Sequence, residues 1–275
     1  MPSTYSAMQK FLERLLSRST LGPAEQQAIL NLPYKVVQVR ARTDIVSPGE
    51  TVSNACLVAK GLIARFDQMR DGRRQIVAFH IAGDMCDLHS VVAPTAAWGM
   101  AALNGSTVLH VPHSDLRNIA IDFPGIALAF WRDGTVDASI LAKWVGNLGR
   151  QDARARVAHV LCEVGIRMEC GGLAVDRTCF VLEATQEQLA DAVGLTAVHV
   201  NRTMQALRRD GLIESRGHTV EVKDWRRLAE TAEFDPAYLL LADHARWTTQ
   251  PSAGAALGFR PRPAQGDMMK VNPEA

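Results

Sequence analysis

The chain has 275 residues, 47% of them hydrophobic and 21% charged, and carries a formal net charge of +1. This length allows two ordinary domains, each with its own core, and the composition excludes a mainly disordered chain and a small disulfide scaffold. A nearly neutral protein cannot attract nucleic acid through its net charge. A phosphate-binding surface would therefore have to come from a local cluster of basic residues.

The cysteines are odd in number and scattered, and they include no CxxC pair. This pattern disfavours disulfides and a four-thiolate zinc site. The amino-terminal segment lacks the apolar run of a signal peptide, and no later apolar stretch is long enough to cross a bilayer. We therefore expect a cytoplasmic protein without a membrane segment. The cysteines are Cys56, Cys86, Cys162, Cys170 and Cys179.

Two short helices are predicted at the amino terminus. Apolar residues recur at helical spacing over residues 6 to 19, and a turn at 20 to 25 leads into a second helix over about 24 to 30. Glu25 lies in the first turn of the second helix, where the helix dipole favours an acid. The apolar positions of the first helix are Met8, Phe11, Leu12, Leu15 and Leu16.

From Tyr34 to Val111 the pattern changes to short apolar or alternating runs separated by turn residues. Asp71-Gly72 lies between two such runs, which is a strong signal for a tight hairpin. Many short strands at this spacing are typical of an antiparallel sandwich or jelly roll. The predicted strands are Lys35 to Arg42, Ala55 to Ala59, Leu62 to Gln68, Gln75 to Ile81, Met100 to Leu103 and Thr107 to Val111.

A helical pattern returns after Pro112. Residues 125 to 149 have apolar side chains near a 3.5-residue period, interrupted by Gly134, and this period favours a coiled-coil dimer seam. Packing of this helix on the chain's own sandwich is the alternative. A further helix is predicted over about 152 to 168, ending at Gly171-Gly172. The predicted seam residues are Ile126, Phe130, Ile140, Leu141, Trp144 and Leu148.

The stretch from Thr185 to Ile213 predicts a helix-turn-helix. Thr185 and Gln188 form a capping box at the start of the first helix, and Gly194 supplies the positive φ that a tight turn between crossing helices needs. Thr196 caps the second helix. Its predicted inward face is Val200, Met204 and Leu207, which lie at i, i+4 and i+7.

The opposite face of the second helix carries base-reading chemistry. Asn and Gln can pair bidentately with adenine and Arg with guanine, and Ala or Val can contact a thymine methyl. Residues 196 to 209 contain three arginines and no acid, so the local charge favours phosphate binding. The outward residues are Ala197, Val198, Asn201, Arg202 and Gln205.

A small hairpin is predicted to follow this pair of helices. Leu212-Ile213, the turn Arg216-Gly217-His218 and the alternating residues 219 to 222 have the pattern of the wing of a winged helix. Arg216 and His218 could contact phosphates. A plain helical hairpin inside a core is the alternative interpretation of residues 185 to 209.

The sequence GLTAVHVNRTMQALRRDGLI, after a β-rich segment and a long helix, resembles the Crp/Fnr superfamily of transcription regulators over about residues 10 to 240. The resemblance implies an α+β protein with an antiparallel jelly roll of cyclic-nucleotide-binding type, a dimerisation helix and a carboxy-terminal winged helix-turn-helix. The implied domains are 1–123 for the β-roll sensor, 124–150 for the dimerisation helix and 151–245 for DNA binding. Residues 246–275, rich in proline and glycine, are predicted to form a mobile tail.

The same resemblance implies a regulator that binds double-stranded DNA as a homodimer, is not an enzyme and has RNA polymerase as a further partner. Many family members have a glutamate where this chain has Val198, so their half-site sequence is not assumed here. The predicted DNA-contacting residues are Thr185, Thr196, Ala197, Val198, His199, Asn201, Arg202, Gln205, Arg208 and Arg216.

Cyclic-nucleotide binders of this family carry a glycine-glutamate pair and, about ten residues later, an arginine-serine pair that holds the cyclic phosphate. Here Asp84 follows Gly83, and residues 83 to 101 contain no arginine. A buried phosphate without a charged donor is poorly stabilised, so we expect neither cAMP nor cGMP as the effector. The candidate effector pocket is Gly83, Asp84, Cys86 and His89.

The sequence predicts no bound cofactor or metal. An iron-sulfur cluster is disfavoured because no cysteine precedes Cys56. The stretch from Gly83 to Ser90, with His89, is similar to the haem-histidine segment of the family's carbon monoxide sensor, which also has a proline ligand near its amino terminus, as Pro2 is here. Redox sensing through Cys86 or Cys162 is another alternative.

An enzyme of the cupin type is the remaining alternative. Several histidines of a jelly roll can converge on one metal ion. The candidates here lack the HxH spacing that would place two side chains on one strand face, which disfavours the metalloenzyme. They are His80, His89, His110 and His113.

Overall fold

A computed structural model describes residues 4–242 and Trp247 of the chain. Its architecture is α+β, as the sequence predicts. The helices are α1 Thr4–Leu16, α2 Pro23–Leu30, α3 His113–Asp122, α4 Pro124–Arg150, α5 Ala153–Cys170, α6 Gln186–Val193, α7 Ala197–Arg209 and α8 Trp225–Thr231, with 3₁₀ helices at Leu88–Val91 and Pro236–Leu239. The strands are β1 Lys35–Val39, β2 Thr43–Val46, β3 Asn54–Lys60, β4 Ile63–Gln68, β5 Arg74–His80, β6 Gly99–Ala102, β7 Ser106–Pro112, β8 Cys179–Val181, β9 Ile213–Arg216 and β10 Thr219–Val222.

The amino-terminal strands form an antiparallel roll of two sheets, with strand orders β1-β7-β3 and β2-β6-β4-β5. The six predicted strands are present, and the Asp71-Gly72 hairpin joins β4 to β5, with Gly72 at φ +86°. Strand β2 was not predicted as a separate strand. Arg42 takes φ +59°, a conformation that breaks an extended strand, so the run from Lys35 to Arg42 ends early and the chain turns into β2.

Within the β2-β6-β4-β5 sheet, strand β6 and the first four residues of β4 are buried on both faces. Ile63 and Met100 face the interior of the roll, whereas Ala64, Phe66 and Ala101 belong to the core that continues into α5, α6 and α7. The small side chains of Ala64 and Ala101 on the outer face leave room for the helices that pack there. The roll and the carboxy-terminal helices therefore share one apolar core.

Helix α4 runs through Gly134 without the predicted interruption. Within the described residues, none of the helices combines the length and apolar character needed to span a bilayer. On α4, Ile126, Ile140 and Trp144 are at most 5% exposed and lie in the chain's own core. The expectation that these three form a dimer seam is therefore corrected, and the alternative of packing on the chain's own sandwich holds for them.

The other predicted seam residues are also engaged within the chain. Phe130 packs against Phe11 of α1, with ring centroids 6.2 Å apart. Leu148 lies beside Gly194 of the helix-turn-helix, and Leu141 is half-buried. On α1, Leu16 is 37% exposed, while the other four predicted apolar residues are buried. These predicted seam residues therefore pack within the monomer.

The carboxy-terminal unit contains α5 to α8 and a three-stranded sheet of order β8-β10-β9. The predicted wing is the β9-β10 hairpin, with Arg216 paired to Thr219 across it. Strand β8 was too short to be predicted. The proposed tail, 246–275, lies outside the described residues except for Trp247, which is 6% exposed and donates from Nε1 to the Ala242 carbonyl at 2.9 Å.

The turn between α6 and α7 requires glycine. Gly194 has φ +63°, so Gly194→Ala should lower the free energy of unfolding by about 1–3 kcal/mol, the usual cost of holding a side-chain-bearing residue in this region. Chemical denaturation measures the change. Gly105→Ala is the matched control, because a Cβ there meets open space and the residue has no positive φ. Equal effects at the two positions would contradict the strain argument.

Candidate nucleic-acid interface

The helix-turn-helix is built from local caps that the sequence specifies. Thr185 Oγ1 accepts from the Gln188 backbone N–H at 3.2 Å, and Gln188 Oε1 accepts from the Thr185 N–H at 2.8 Å. Thr196 Oγ1 accepts from the His199 N–H at 3.2 Å and starts α7. These bonds satisfy donors that a helix leaves unpaired at its start. The capping prediction is confirmed at both helices.

Helix α7 has one buried and one exposed face. Val200 and Leu207 are fully buried, and Thr203 is 7% exposed, whereas Met204, predicted to face inward, is only half-buried. The outer face carries Val198, 63% exposed. His199, Arg202, Gln205 and Arg209 are exposed as well, while Ala197 and Asn201 are half-buried.

A row of amides crosses this outer face. Asn201 Nδ2 donates to Gln186 Oε1 at 2.9 Å, and Gln205 Nε2 donates to Asn201 Oδ1 at 2.8 Å. Gln186 was not among the predicted site residues; its position at the first residue of α6 was the available signal. Each end of the Asn201 amide keeps one free site, a second N–H on Nδ2 and a second lone pair on Oδ1, so the row orients Asn201 and leaves it able to bond a base edge.

Two predicted contact residues also have structural roles. Arg208 is half-buried, and its Nη1 donates to Ser215 Oγ of β9 at 2.6 Å, so it braces the wing against α7. Thr185 is exposed but is used in the cap of α6. At the end of the wing, Arg216 and His218 are exposed. The arrangement places α7 and the wing on one polar surface.

The electrostatics of this surface favour a polyanion. Three acids near this surface are paired with basic residues: Asp210 with Arg154, and both Glu221 and Glu214 with Lys223, at 2.5 and 3.5 Å. The arginines of the α7 outer face and of the wing therefore dominate the local charge. A patch of this sign attracts phosphates although the whole chain is nearly neutral.

The comparisons with protein families decide the assignment. A Crp-like helix-turn-helix domain model matches residues 155–231, and a cyclic nucleotide-binding domain model matches residues 36–122. The chain belongs to the Crp/Fnr superfamily of transcription regulators. Together the two matched segments cover more than half of this Crp/Fnr chain. The first segment contains strands of the roll, and the second contains the helix-turn-helix.

Curated relatives and solved structures agree with this family. The transcriptional activator protein FnrL of Cereibacter sphaeroides is 26% identical over 200 residues, which are 71% of this chain and 79% of that protein. The transcriptional activatory protein AadR of Rhodopseudomonas palustris is 27% identical over 217 residues, 78% and 85% of the two chains. The structure of FixK2 from Bradyrhizobium japonicum is 26% identical with a TM-score of 0.66, covering 73% of this chain and 98% of that chain.

The candidate effector pocket of this Crp/Fnr protein is not assembled as predicted. The cavity at the turn of Gly83 and Asp84 is not lined by Cys86 or His89. The Asp84 carboxylate is already bonded, accepting from the Ile81 N–H at 2.9 Å and pairing with Arg167 at 2.6 Å. It is therefore committed to the protein itself at the position where the family's nucleotide binders hold a glutamate.

A buried arginine that the sequence analysis missed joins the roll to α4. Arg65 is 1% exposed, donates to Asp137 Oδ2 of α4 at 2.6 Å and also donates to the Cys86 carbonyl. Its guanidinium lies 5.3 Å from the centroid of the Trp98 ring. The His89 ring also contacts Trp98, with ring centroids 5.3 Å apart. An arginine in a strand pattern gave no signal of this burial.

The haem, redox and metal alternatives gain no support from these surroundings. The His89 ring packs on Trp98 and does not line the cavity beside Gly83. Pro2 lies outside the described residues. Burial raises the pKa of the Cys86 and Cys162 thiols above their usual value, which disfavours the reactive thiolate. Within the part of the chain that is described, no group of three His, Cys, Asp or Glu side chains could hold a metal ion.

Thiol reactivity gives a direct check of this burial. Brief alkylation of the native protein with iodoacetamide should modify the exposed Cys179 first, whereas the buried Cys56, Cys86 and Cys162 should react only after denaturation. Peptide mass spectrometry measures each site, and the guanidinium-denatured protein is the control for complete labelling. Native labelling of Cys86 ahead of Cys179 would contradict this order and revive the redox alternative.

Proposed function

We propose that this protein regulates transcription as a homodimer that binds a pseudo-palindromic DNA site through α7 and the wing. The observation that carries the proposal is the exposed, acid-free outer face of α7, held outward because Val200 and Leu207 are buried behind it. In a dimer, two such helices would enter successive major grooves about 34 Å apart.

The dimer surface that we propose is a stripe on α4, here called the α4 stripe. Its members follow alternating steps of three and four residues, the spacing of a coiled-coil seam. The apolar ones are unusually exposed, with Leu128 at 60%, Trp131 at 75% and Val145 at 69%. The stripe is Leu128, Trp131, Thr135, Ala138, Ala142, Val145 and Gly149, each of them exposed.

The α4 stripe replaces the seam expected from the sequence. At 1.5 Å per residue it is roughly 30 Å long, and its small residues in the centre allow two helices to approach closely. Exposed apolar residues in a continuous stripe are costly in a monomer and mark an interaction surface. A second copy related by a two-fold axis would place stripe against stripe.

The proposal also concerns the effector and the partners. We propose no cyclic nucleotide as the effector, because Asp84 is occupied by arginines of the chain itself. RNA polymerase remains a partner that is predicted only from the resemblance to the Crp/Fnr superfamily. The names of the relatives FnrL and AadR, both described as transcriptional activators, support activation as the mode of regulation.

Base reading by Arg202 is testable by substitution. Arg202→Ala should cost about 1–3 kcal/mol of binding free energy on the preferred site and much less on random DNA, because only the preferred site offers the guanine edge. Fluorescence anisotropy at fixed salt measures both affinities. Arg40→Ala, an exposed arginine of the roll, is the matched control. Equal losses on the two DNAs would make Arg202 a phosphate contact instead.

The dimer is testable through the α4 stripe. Val145→Asp places a charge in the proposed seam and should shift the protein to monomer in sedimentation velocity, with loss of the cooperative binding to two half-sites. Val175→Asp, at a valine that is 51% exposed outside α4, should leave the sedimentation coefficient unchanged. A Val145→Asp protein that sediments like the unaltered one would exclude this surface.

A further inference from the structure

A buried network of charges lies where the roll, α1, α4 and α5 meet. We call it the joint. Its side chains are at most 12% exposed, and it contains three arginines and three carboxylates, so its charges balance. The joint consists of Arg14, Arg18, Asp84, Asp133, Glu163 and Arg167.

The contacts of the joint run continuously from the DNA-binding unit to the sensor roll. Arg167 of α5 donates to Glu163 Oε1 at 3.1 Å and to Asp84 Oδ2 at 2.6 Å. Arg14 of α1 pairs with Asp84 and, at 2.9 Å, with Asp133 of α4. Arg167 also donates to the Phe79 carbonyl of β5 at 2.8 Å. One guanidinium of the DNA-binding unit thus bonds the roll twice.

The segment that follows the winged helix closes the network. Tyr238 Oη donates to Glu163 Oε2 at 2.8 Å, and Trp144 Nε1 of α4 donates to the same oxygen at 3.0 Å. Arg18 donates to the Leu239 carbonyl at 2.9 Å and pairs with Asp133 at 3.1 Å. This segment lies beyond residue 231, where the matched helix-turn-helix domain ends.

A second set of bonds ties the helix-turn-helix itself to the roll. Gln75 Nε2 of β5 donates to the backbone carbonyls of Asp191 and Ala192 at 2.6 and 3.2 Å. Both carbonyls lie in the last turn of α6, where a helix offers its carbonyls no partner of its own. Gln188 Nε2 donates to the Leu103 carbonyl at 3.2 Å. The roll therefore caps the helix that leads into the turn before α7.

The space at the joint is too small for an organic effector. The cavity bounded by Arg14, Asp84 and Arg167 has a volume of about 20 Å³, which holds about one water molecule. At the joint itself, the protein's own ion pairs fill the space between the two units. Burial lowers the pKa of Arg18 to about 10, which still leaves this guanidinium charged near neutral pH.

We propose that the joint locks the DNA-binding unit to the sensor roll in one orientation, so that the dimer holds its two α7 helices at a fixed separation with no bound effector. This inference rests on the proposed function, because it states how that function is regulated. Arg167 and Gln75 are positioning residues in this account: they touch no DNA and set where α7 lies.

The lock is tested by removing one charge of each sign from the joint. Loss of one partner alone would strand a buried charge, so the test protein is Arg167→Met with Glu163→Gln. This change removes one ion pair and leaves Asp84 paired with Arg14. The matched control is Arg177→Met with Glu169→Gln, a buried pair at 3.0 Å that lies wholly inside the DNA-binding unit. Gln75→Ala, which leaves every charge in place, is a second variant in case the first does not fold.

Calorimetry reports on the lock without DNA. The unaltered, exhaustively dialysed protein should unfold in one transition, the control in one transition at lower temperature, and the joint variant in two, because its units no longer unfold together. Two transitions in the unaltered protein would overturn the proposal. A single transition in both the joint variant and Gln75→Ala would overturn it as well.

DNA binding reports on the fixed separation. Without added ligand, the unaltered protein should bind the DNA site selected from a random pool more tightly than the same site with two base pairs inserted between its half-sites. In the joint variant and Gln75→Ala this preference should fall about tenfold, a typical coupling between sites, and the control should keep it. Dependence of binding on an added small molecule, or an unchanged preference in both variants, would overturn the lock. If the protein binds no DNA, the proposed function fails while calorimetry still decides the lock.

Discussion

Burial of Val200 and Leu207 behind α7 determines which side of that helix faces solvent. Val200 and Leu207 are seven residues apart on a 13-residue helix and so lie on the same side of it. The opposite side faces solvent and carries Val198, Arg202 and Gln205. The caps at Thr185 and Thr196 and the left-handed turn at Gly194 set the direction in which α7 leaves the core. Because the same core continues to the outer face of the roll, the position of α7 depends on the packing of the whole chain and not on the helix pair alone.

The sequence predicted those parts of the fold that depend on local chemistry. Helix caps, the Asp71-Gly72 hairpin and the wing follow from residues a few positions apart, and they are present in the structure. The errors concern tertiary contacts. Apolar periodicity shows that Ile140 and Trp144 are buried but not by what, and the structure assigns them to the chain's own core. The exposed α4 stripe is rich in small residues such as Ala138 and Ala142, which a count of large apolar side chains overlooks. Arg65 and Gln186 were missed because their roles depend on partners distant in sequence.

The roll matches the cyclic nucleotide-binding domain model, but its buried charged groups bond other groups of the same chain. Asp84 bonds Arg14 and Arg167, and Arg65 bridges β4 to α4 through Asp137. Buried ion pairs contribute little net stability once desolvation is counted, and their best-attested role is to specify one arrangement over others. In this protein such pairs lie between the roll and the helix-turn-helix unit, where they hold α7 in one position relative to the roll.

Selection of bound sequences from a random DNA pool, at fixed salt and with no added small molecule, tests the central claim most directly. The account predicts enrichment of an inverted repeat whose half-site centres lie about one helical turn apart, with the repeat lost when the outer face of α7 is altered. Enrichment of no sequence, or of one that does not change when that face is altered, would contradict it.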